Sequence, residues 1–275
     1  MKNRVTAIPL CIIIIACALM AVHGPILQLP HYHEFSDHSI FLGVPHAGDV
    51  LSNAGFAVVG VWAWFRLRPM RSHPAIRSGW HGYQSFLVGL VLTAFGSSFY
   101  HLAPDNARLL WDRLPIALAC AGLLAAVRTE SQFLANGKST TAWLALFALG
   151  SVAWWYFTDQ KGQGDLRPYL LLQALPLLLI PLWQAIYRTN RDDRIWFGLA
   201  LLLYVFAKAA ELRDHELLTA LGWVSGHTLK HVLATAAAAV LVGRLSYRVR
   251  VPAALDFPRP VICMRDARTS WLLLR

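Results

Sequence analysis

The sequence predicts an all-α polytopic membrane protein: a helical bundle with a seven-span core preceded by one extra N-terminal span. Two observations carry this prediction. Hydrophobic residues make up 56% of the 275 residues and charged residues only 15%, and the mean hydropathy is +0.46, which is too apolar for an ordinary soluble domain. The apolar stretches also approach the roughly 20 residues that a helix needs to cross a bilayer.

Eight apolar stretches have a length suitable for a transmembrane helix, about 17 to 25 residues. They cover residues 5–23, 48–66, 83–103, 110–127, 139–157, 168–187, 195–211 and 225–244. The first follows Lys2 and Arg4, as a signal peptide would, but its core is long and a small-residue cleavage pattern is poor, so we interpret it as a retained anchor. The predicted organisation is an anchor (1–24), an external segment (25–46), the seven-span core (47–246) and a tail (247–275).

The basic residues indicate membrane topology. The net charge is +10, but these residues lie in short connections and in the tail, with no basic domain interleaved with aromatic residues, so nucleic acid is not a predicted partner. They follow the second, fourth, sixth and eighth spans: Arg66, Arg68, Arg71, Arg77, Arg128, Lys138, Arg188, Arg191, Arg194, Arg244, Arg248 and Arg250. On the opposite side, residues 23–47, 102–106 and 216–225 contain no lysine or arginine, and connection 158–167, with Lys161 and Arg167, is an exception. The positive-inside rule then places both termini in the cytoplasm.

This topology brings several ionisable residues to one side of the membrane. His101 ends an outward span, Asp112 begins the next span, and His227 and His231 begin the last one. Residues four apart share a helix face, so His227 and His231 point the same way and Ser97 lies one turn from His101. Ionisable side chains at this depth are costly and usually functional. Three histidines are the ligand set of a catalytic zinc that keeps one position open. Iron or manganese would be favoured by a carboxylate ligand beside the histidines, and the motif contains no second carboxylate that could serve as one.

The predicted chemistry is hydrolysis of an amide or ester in a lipid-accessible pocket. Asp112 is the candidate acid and base. Ser97 is the candidate donor to the developing oxyanion, and Ser98 is a less favoured substitute. Structural interpretations stay open beside these: Ser97 as a small packing residue, and Asp112 as an ion-pair partner of Arg113 or Arg108.

Two further groups of polar residues have alternative interpretations. Lys208 and Glu211, three residues apart, form an ion pair close to Lys230, or one of the lysines binds an anionic headgroup. Asp49 either caps the second span or, together with Asn53, supports a ligand histidine from behind.

The motif Ser97-x₃-His101, followed by Asp112 and by His227-x₃-His231, resembles the alkaline ceramidase family and the wider superfamily of seven-span metal hydrolases that includes adiponectin-receptor-like proteins. Segments 49–53 and 111–115 resemble the bacterial members, and the resemblance covers about residues 46–244. It implies that the three histidines bind Zn²⁺, that Asp112 handles the proton of the zinc-bound water, and that Ser97 lies near the substrate carbonyl. It also implies ceramide or another N-acyl lipid as substrate and a bacterial inner membrane, with the site near the periplasmic side.

The sequence departs from the family in one region. Eukaryotic ceramidases also hold calcium through an acidic cluster, whereas segment 31–38 contains only Glu34 and Asp37, and His46 stands where a carboxylate is expected. Calcium is therefore not predicted. Two other functions stay open: an adiponectin-receptor-like receptor or sensor with a structural zinc and no turnover, and a transporter whose intramembrane charges bind an ion.

Overall fold

The chain folds as an all-α bundle, as predicted, and the described residues also contain one short β-hairpin that was not predicted. A computed structural model describes residues 7–132 and 136–251. In chain order its elements are α1 (Ile8–His23), β1 (Ile40–Phe41), β2 (Val44–Pro45), α2 (Ala47–Ser52), α3 (Ala54–Leu67), a 3₁₀ turn (Arg68–Met70), α4 (Trp80–Leu102), α5 (Asn106–Gln132), α6 (Gly137–Asp159), α7 (Arg167–Ile186), α8 (Arg191–Glu211), α9 (Asp214–Leu221) and α10 (Gly226–Arg248). The two strands pair antiparallel, with Ile40 opposite Pro45.

Six stretches in the described residues are long and apolar enough to cross a membrane. They are Ala47–Met70, Trp80–Leu102, Asn106–Gln132, Gly137–Asp159, Arg167–Ile186 and Gly226–Arg248. Helices α8 and α9 meet this criterion together but are bent by 88°, which gives a seventh spanning element if the pair is one span. Large apolar side chains such as Phe65, Phe95, Trp143 and Phe206 are exposed around the bundle, as expected for contact with lipid. The protein is thus a multi-pass membrane protein.

Two predicted spans differ in the structure. The seventh, 195–211, lies within α8, but the chain then turns sharply into α9. Asp214 explains the turn, because its carboxylate accepts hydrogen bonds from the backbone N–H groups of Ser36 at 2.8 Å and His227 at 2.7 Å. The first predicted span corresponds to α1, whose 16 residues extend about 24 Å, less than the roughly 30 Å of a hydrocarbon core. Residues 1–6 of the predicted anchor and 252–275 of the predicted tail lie outside the described residues.

Helices α4 and α5 approach each other closely at the end that carries His101. Pro115 lies inside α5, and because proline has no N–H, the carbonyl of Trp111 loses its helical donor. A Cβ at Gly96 of α4 would lie 2.0 Å from that carbonyl oxygen, so the approach requires glycine. The contact places Asp112 beside the last turns of α4.

Helices α8 and α10 meet in a similar way. A Cβ at Gly226 would lie 2.3 Å from the carbonyl oxygen of Ala210, so the start of α10 rests against the end of α8. Large apolar side chains fill the interior between the helices, and the largest that are fully buried include Trp155, Tyr83, Tyr100 and Phe197. These contacts fix the helix ends from which the polar site is built.

Candidate metal centre

The three histidines predicted as ligands come together in the structure. His101 lies in the last turn of α4, and His227 and His231 lie in the first two turns of α10. Their exposed fractions are 0%, 4% and 2%. A buried cluster of three imidazoles is therefore formed by two helices that are far apart in the sequence.

The donor nitrogens of these histidines have a geometry that suits a metal ion. One nitrogen from each ring lies within 4.8 Å of the other two, and the Nε2 atoms of His101 and His227 are 3.1 Å apart. Tetrahedral zinc with Zn–N bonds of about 2.0–2.1 Å separates its ligand nitrogens by roughly 3.3 Å. Nε2 of His231 is buried without a hydrogen-bond partner among the described residues. Neutral imidazoles suit zinc, copper, iron or nickel, so the cluster could hold a metal ion.

Helix α2 lies behind two of the histidines. Asp49 Oδ2 is 4.0 Å from His101 Nδ1, and neither atom has a hydrogen-bond partner in the described chain. His231 Nδ1 is 2.9 Å from Ser52 Oγ. Histidine ligands usually direct their second nitrogen to such a group, which fixes the ring orientation. The hydrogen-bond distance to Ser52 orients the His231 ring, whereas Asp49 faces His101 Nδ1 only as a nearby charge.

The Asp49 carboxylate is held from α10 and does not cap its own helix. Its Oδ1 accepts hydrogen bonds from Thr228 Oγ1 at 2.6 Å and Ser225 Oγ at 3.1 Å, and its Oδ2 has no hydrogen-bond partner among the described residues. Of the two predicted roles, the geometry therefore speaks against capping, and the carboxylate faces the His101 ring. Asn53, the other residue assigned this role, donates instead to the Asp49 carbonyl at 2.8 Å and secures the helix turn.

Asp37, considered above only as one of two acids in segment 31–38, has a structural role. Burial alone would raise its pKa, but hydrogen bonds from Ser39 and from the backbone of Gly48 and Asp49 outweigh this effect and lower the pKa. Its Oδ2 accepts from the N–H of Asp49 at 2.9 Å, which satisfies an unpaired donor at the start of α2. Asp37 and Asp214 thus fix the helix starts that carry Asp49 and His227, and no local motif marks either acid for this role.

The two predicted catalytic residues lie side by side near the cluster. Asp112 is 5% exposed and Ser97 1%, and the Ser97 hydroxyl lies beside the Asp112 carboxylate. Asp112 Oδ1 is buried without a partner among the described residues. Ser98, the less favoured alternative to Ser97, donates instead to the carbonyl of Val50 at 3.0 Å. Of the two serines, only Ser97 is near the aspartate.

The arginines that could have paired with Asp112 have other partners. The Arg113 guanidinium stacks on Trp155, with Cζ 4.0 Å from the ring centroid. Arg108 pairs with Asp105 at the helix start. Asp112 is therefore left facing the cavity beside the histidines.

The predicted ion pair at the end of α8 is present and extends to α10. Glu211 accepts a hydrogen bond from Lys230 Nζ at 2.6 Å, and Lys208 pairs with its other oxygen. Lys230 Nζ also lies 3.2 Å from His227 Nε2. The ion pair with Glu211 thus holds the ammonium group of Lys230 at the edge of the histidine cluster.

A cavity of about 780 Å³ opens beside this cluster. Its polar end contains Asp112, His227, His231, Lys230 and Glu211. Its apolar part lies between α4, α5, α7, α8 and α10, with Phe86, Leu123, Leu177, Leu201, Ala238 and Leu241 in the wall. From His231 to Leu241, α10 rises about 15 Å, so an apolar chain could extend deep into the bundle from the polar end.

Part of segment 31–38 lines this cavity. Tyr32, Glu34 and Phe35 line it, and the Phe35 ring centroid is 4.6 Å from that of His101 and 4.4 Å from that of His227. Glu34 pairs with His31 at 2.6 Å. Among the described residues, the histidine cluster is the one group of three or more histidine, cysteine or acidic side chains close enough together to share a metal ion. Tyr32, Glu34 and Phe35 form part of the pocket wall.

Comparison with protein-family models, with curated proteins and with solved structures found no match. The fold and the site nevertheless define a class: multi-pass helical membrane proteins with a buried three-histidine cluster that could hold a metal ion. The more specific resemblance rests on the sequence motif and its spacing.

Proposed function

We propose that this protein is a zinc-dependent intramembrane hydrolase that cleaves the amide bond of an N-acyl lipid, as the resemblance to alkaline ceramidases implies. One observation carries the proposal: the buried histidine cluster, with a partnerless carboxylate oxygen of Asp112 beside it, opens directly on an apolar cavity. A soluble substrate would not require such an apolar wall.

The residues around the cluster have distinct roles in this reaction. Zinc held by the three histidines would supply a Lewis acid and a water whose pKa is lowered towards about 7. Asp112 accepts a proton from the attacking water and delivers it to the leaving nitrogen, so that the amide yields a carboxylic acid and an amine. Ser97, beside Asp112, donates a hydrogen bond to the acyl oxygen as negative charge develops on it.

The cavity accounts for the lipid part of the substrate. Its apolar wall accommodates an acyl chain, and each buried methylene contributes about 0.8 kcal/mol to binding. The amide then lies at the polar end, next to Asp112 and the histidines. Ceramide is the substrate that the resemblance suggests, and the same reasoning applies to other N-acyl lipids.

The proposed location is a bacterial inner membrane, with both termini in the cytoplasm and the histidines near the periplasmic side. The distribution of lysine and arginine between alternate connections supports this orientation. Fusion of alkaline phosphatase to the C-terminus should be inactive and fusion of a green fluorescent protein should be bright. The opposite pair of results would reverse the orientation.

The proposal is tested by metal content and by turnover. Purified protein should contain one zinc per chain, and His227→Ala and His231→Ala should lose it. Asp112→Asn should retain zinc but release fatty acid from lipid amides at least about 100-fold more slowly, the usual contribution of general acid–base catalysis. Asp105→Asn, which changes a carboxylate outside the cavity, is the matched control.

Four outcomes would contradict this function. Absence of stoichiometric zinc, or zinc retained after both histidine substitutions, would remove the metal centre. Undiminished turnover by Asp112→Asn would remove the mechanism. Stoichiometric zinc without turnover of any lipid amide in a mass-spectrometric screen would favour the receptor or sensor alternative.

A further inference from the structure

A second cavity lies at the end of the bundle opposite the histidines. Its volume is about 660 Å³, and Arg68, Arg71, Arg77, Trp64, Trp80 and His81 line it. Helix α4 begins there at Trp80 and reaches His101 after a rise of about 32 Å. The two sites are therefore separated by about the thickness of a hydrocarbon core.

This second cavity is strongly basic. Arg68, Arg71 and Arg77 are all exposed, and no aspartate or glutamate lines the cavity. Glu130 lies near the start of α4, but its carboxylate accepts hydrogen bonds from Tyr83 at 2.8 Å and Arg248 at 3.1 Å. Within the part of the chain that the structure describes, the three guanidinium groups are thus available to an external anion.

The loop that carries two of these arginines is fixed in place. Ile76 is 0% exposed and Ala75 2%, and Arg248 of α10 donates a hydrogen bond to the Ala75 carbonyl. Arg71 and Arg77 flank this buried anchor. Their Cα positions are therefore set by the packing of the bundle, as a binding site requires.

Tryptophans complete the cavity. The Arg68 guanidinium carbon lies 5.4 Å from the centroid of the Trp64 ring, within the range of a cation–π contact. Trp80 is 8% exposed and forms part of the wall. Tryptophan is enriched at the level of lipid headgroups, so this cavity has the composition of the membrane interface.

We propose that this cavity binds the headgroup of an anionic phospholipid, with Arg68, Arg71 and Arg77 contacting its phosphate. Guanidinium groups match phosphate oxygens in geometry and charge, and basic pockets between transmembrane helices bind anionic headgroups. The positive-inside rule explains why the charges at this end of the bundle are positive. It does not account for their arrangement around a concave site on a fixed loop. The proposal is independent of the hydrolase activity.

The test compares lipid binding to the purified full-length protein by native mass spectrometry, with phosphatidylglycerol and phosphatidylcholine as probes. The variant R68Q/R71Q/R77Q removes three charges from the cavity. The matched control R128Q/R188Q/R194Q removes three charges from exposed arginines of other connections at the same end of the bundle. Wild-type protein should prefer phosphatidylglycerol. The cavity variant should bind this lipid at least about tenfold more weakly, because each arginine contributes several-fold near an anionic lipid, and the control should stay within about twofold.

Each of the following results would contradict the proposal. An equal loss in the control variant would show diffuse charge attraction, and equal binding of phosphatidylcholine would show that the headgroup charge is not recognised. Millimolar inorganic phosphate is added in a separate arm; if it displaces phosphatidylglycerol from the wild type, the ligand is a soluble phosphate. If the triple variant does not fold, R71Q/R77Q, which keeps the contact between Arg68 and Trp64, replaces it.

Discussion

Replacing Asp49 by asparagine tests how the structure supports the metal centre. The substituted side chain keeps an oxygen that can accept hydrogen bonds from Ser225 and Thr228, at 3.1 and 2.6 Å from Oδ1 in the wild type. It removes the negative charge that faces His101 Nδ1 across 4.0 Å. The perturbation is therefore confined to the electrostatics behind one ligand.

The expected result is a weaker metal site. Loss of a partner behind a ligand histidine typically lowers metal affinity 10- to 100-fold, which corresponds to about 1.4–2.7 kcal/mol. We expect the upper part of this range for Asp49→Asn, because the carboxylate is 0% exposed and water does not screen it. The zinc dissociation constant, measured by competition with a chromophoric chelator, checks this value.

Asp165→Asn is the matched control. Asp165 is also a buried carboxylate, 2% exposed, but its partners are Arg167 and Trp154, outside the metal centre. This variant should lose thermal stability and keep its zinc affinity. If Asp49→Asn binds zinc within about twofold of the wild type, or if Asp165→Asn loses as much affinity, the role assigned to Asp49 is wrong.

Two further predictions concern stability, measured as the free energy of unfolding or the melting temperature in detergent. Gly96→Ala should destabilise the protein by about 1–3 kcal/mol, because the new Cβ would lie 2.0 Å from the Trp111 carbonyl oxygen. Gly150→Ala, which has nothing within 4 Å of the new Cβ, should be neutral or slightly stabilising. Equal effects of the two substitutions would refute the close approach of α4 to α5 at Gly96. Burial alone would raise the pKa of Asp165, but hydrogen bonds from Arg167 and other donors lower it to about 2. Because the folded protein therefore favours the ionised carboxylate, this group contributes about 2 kcal/mol to the free energy of unfolding above pH 4, and the contribution is lost as the pH falls towards 2. Asp165→Asn should remove this pH dependence, and an unchanged profile would contradict the assignment.

The fold class was predictable from the sequence because membrane-spanning helices are marked by length and hydrophobicity alone. All six straight spanning stretches overlap predicted ones. The bend after Glu211 was not predictable in this way. It depends on Asp214, whose hydrogen bonds reach Ser36 and His227, and such long-range contacts leave no local pattern.

The same distinction applies to the site. Spacing was sufficient to identify His227 and His231 as neighbours on one helix face, and topology brought His101 to their side of the membrane. The sequence could not decide between capping and ligand support for Asp49, because both roles require an acid at a helix start. The hydrogen bonds from Ser225 and Thr228 on a distant helix distinguish them.

The sequence by itself determined the membrane class, the approximate spans and the candidate metal ligands, because hydrophobic length and helical periodicity are local properties of the chain. Only the tertiary structure decided which polar atoms lack a partner, how the cavity extends from the histidines into the bundle, and how the arginines at the opposite end surround a second cavity. These features arise from contacts between helices that are distant in sequence, and their geometry depends on close packing at positions such as Gly96 and Gly226.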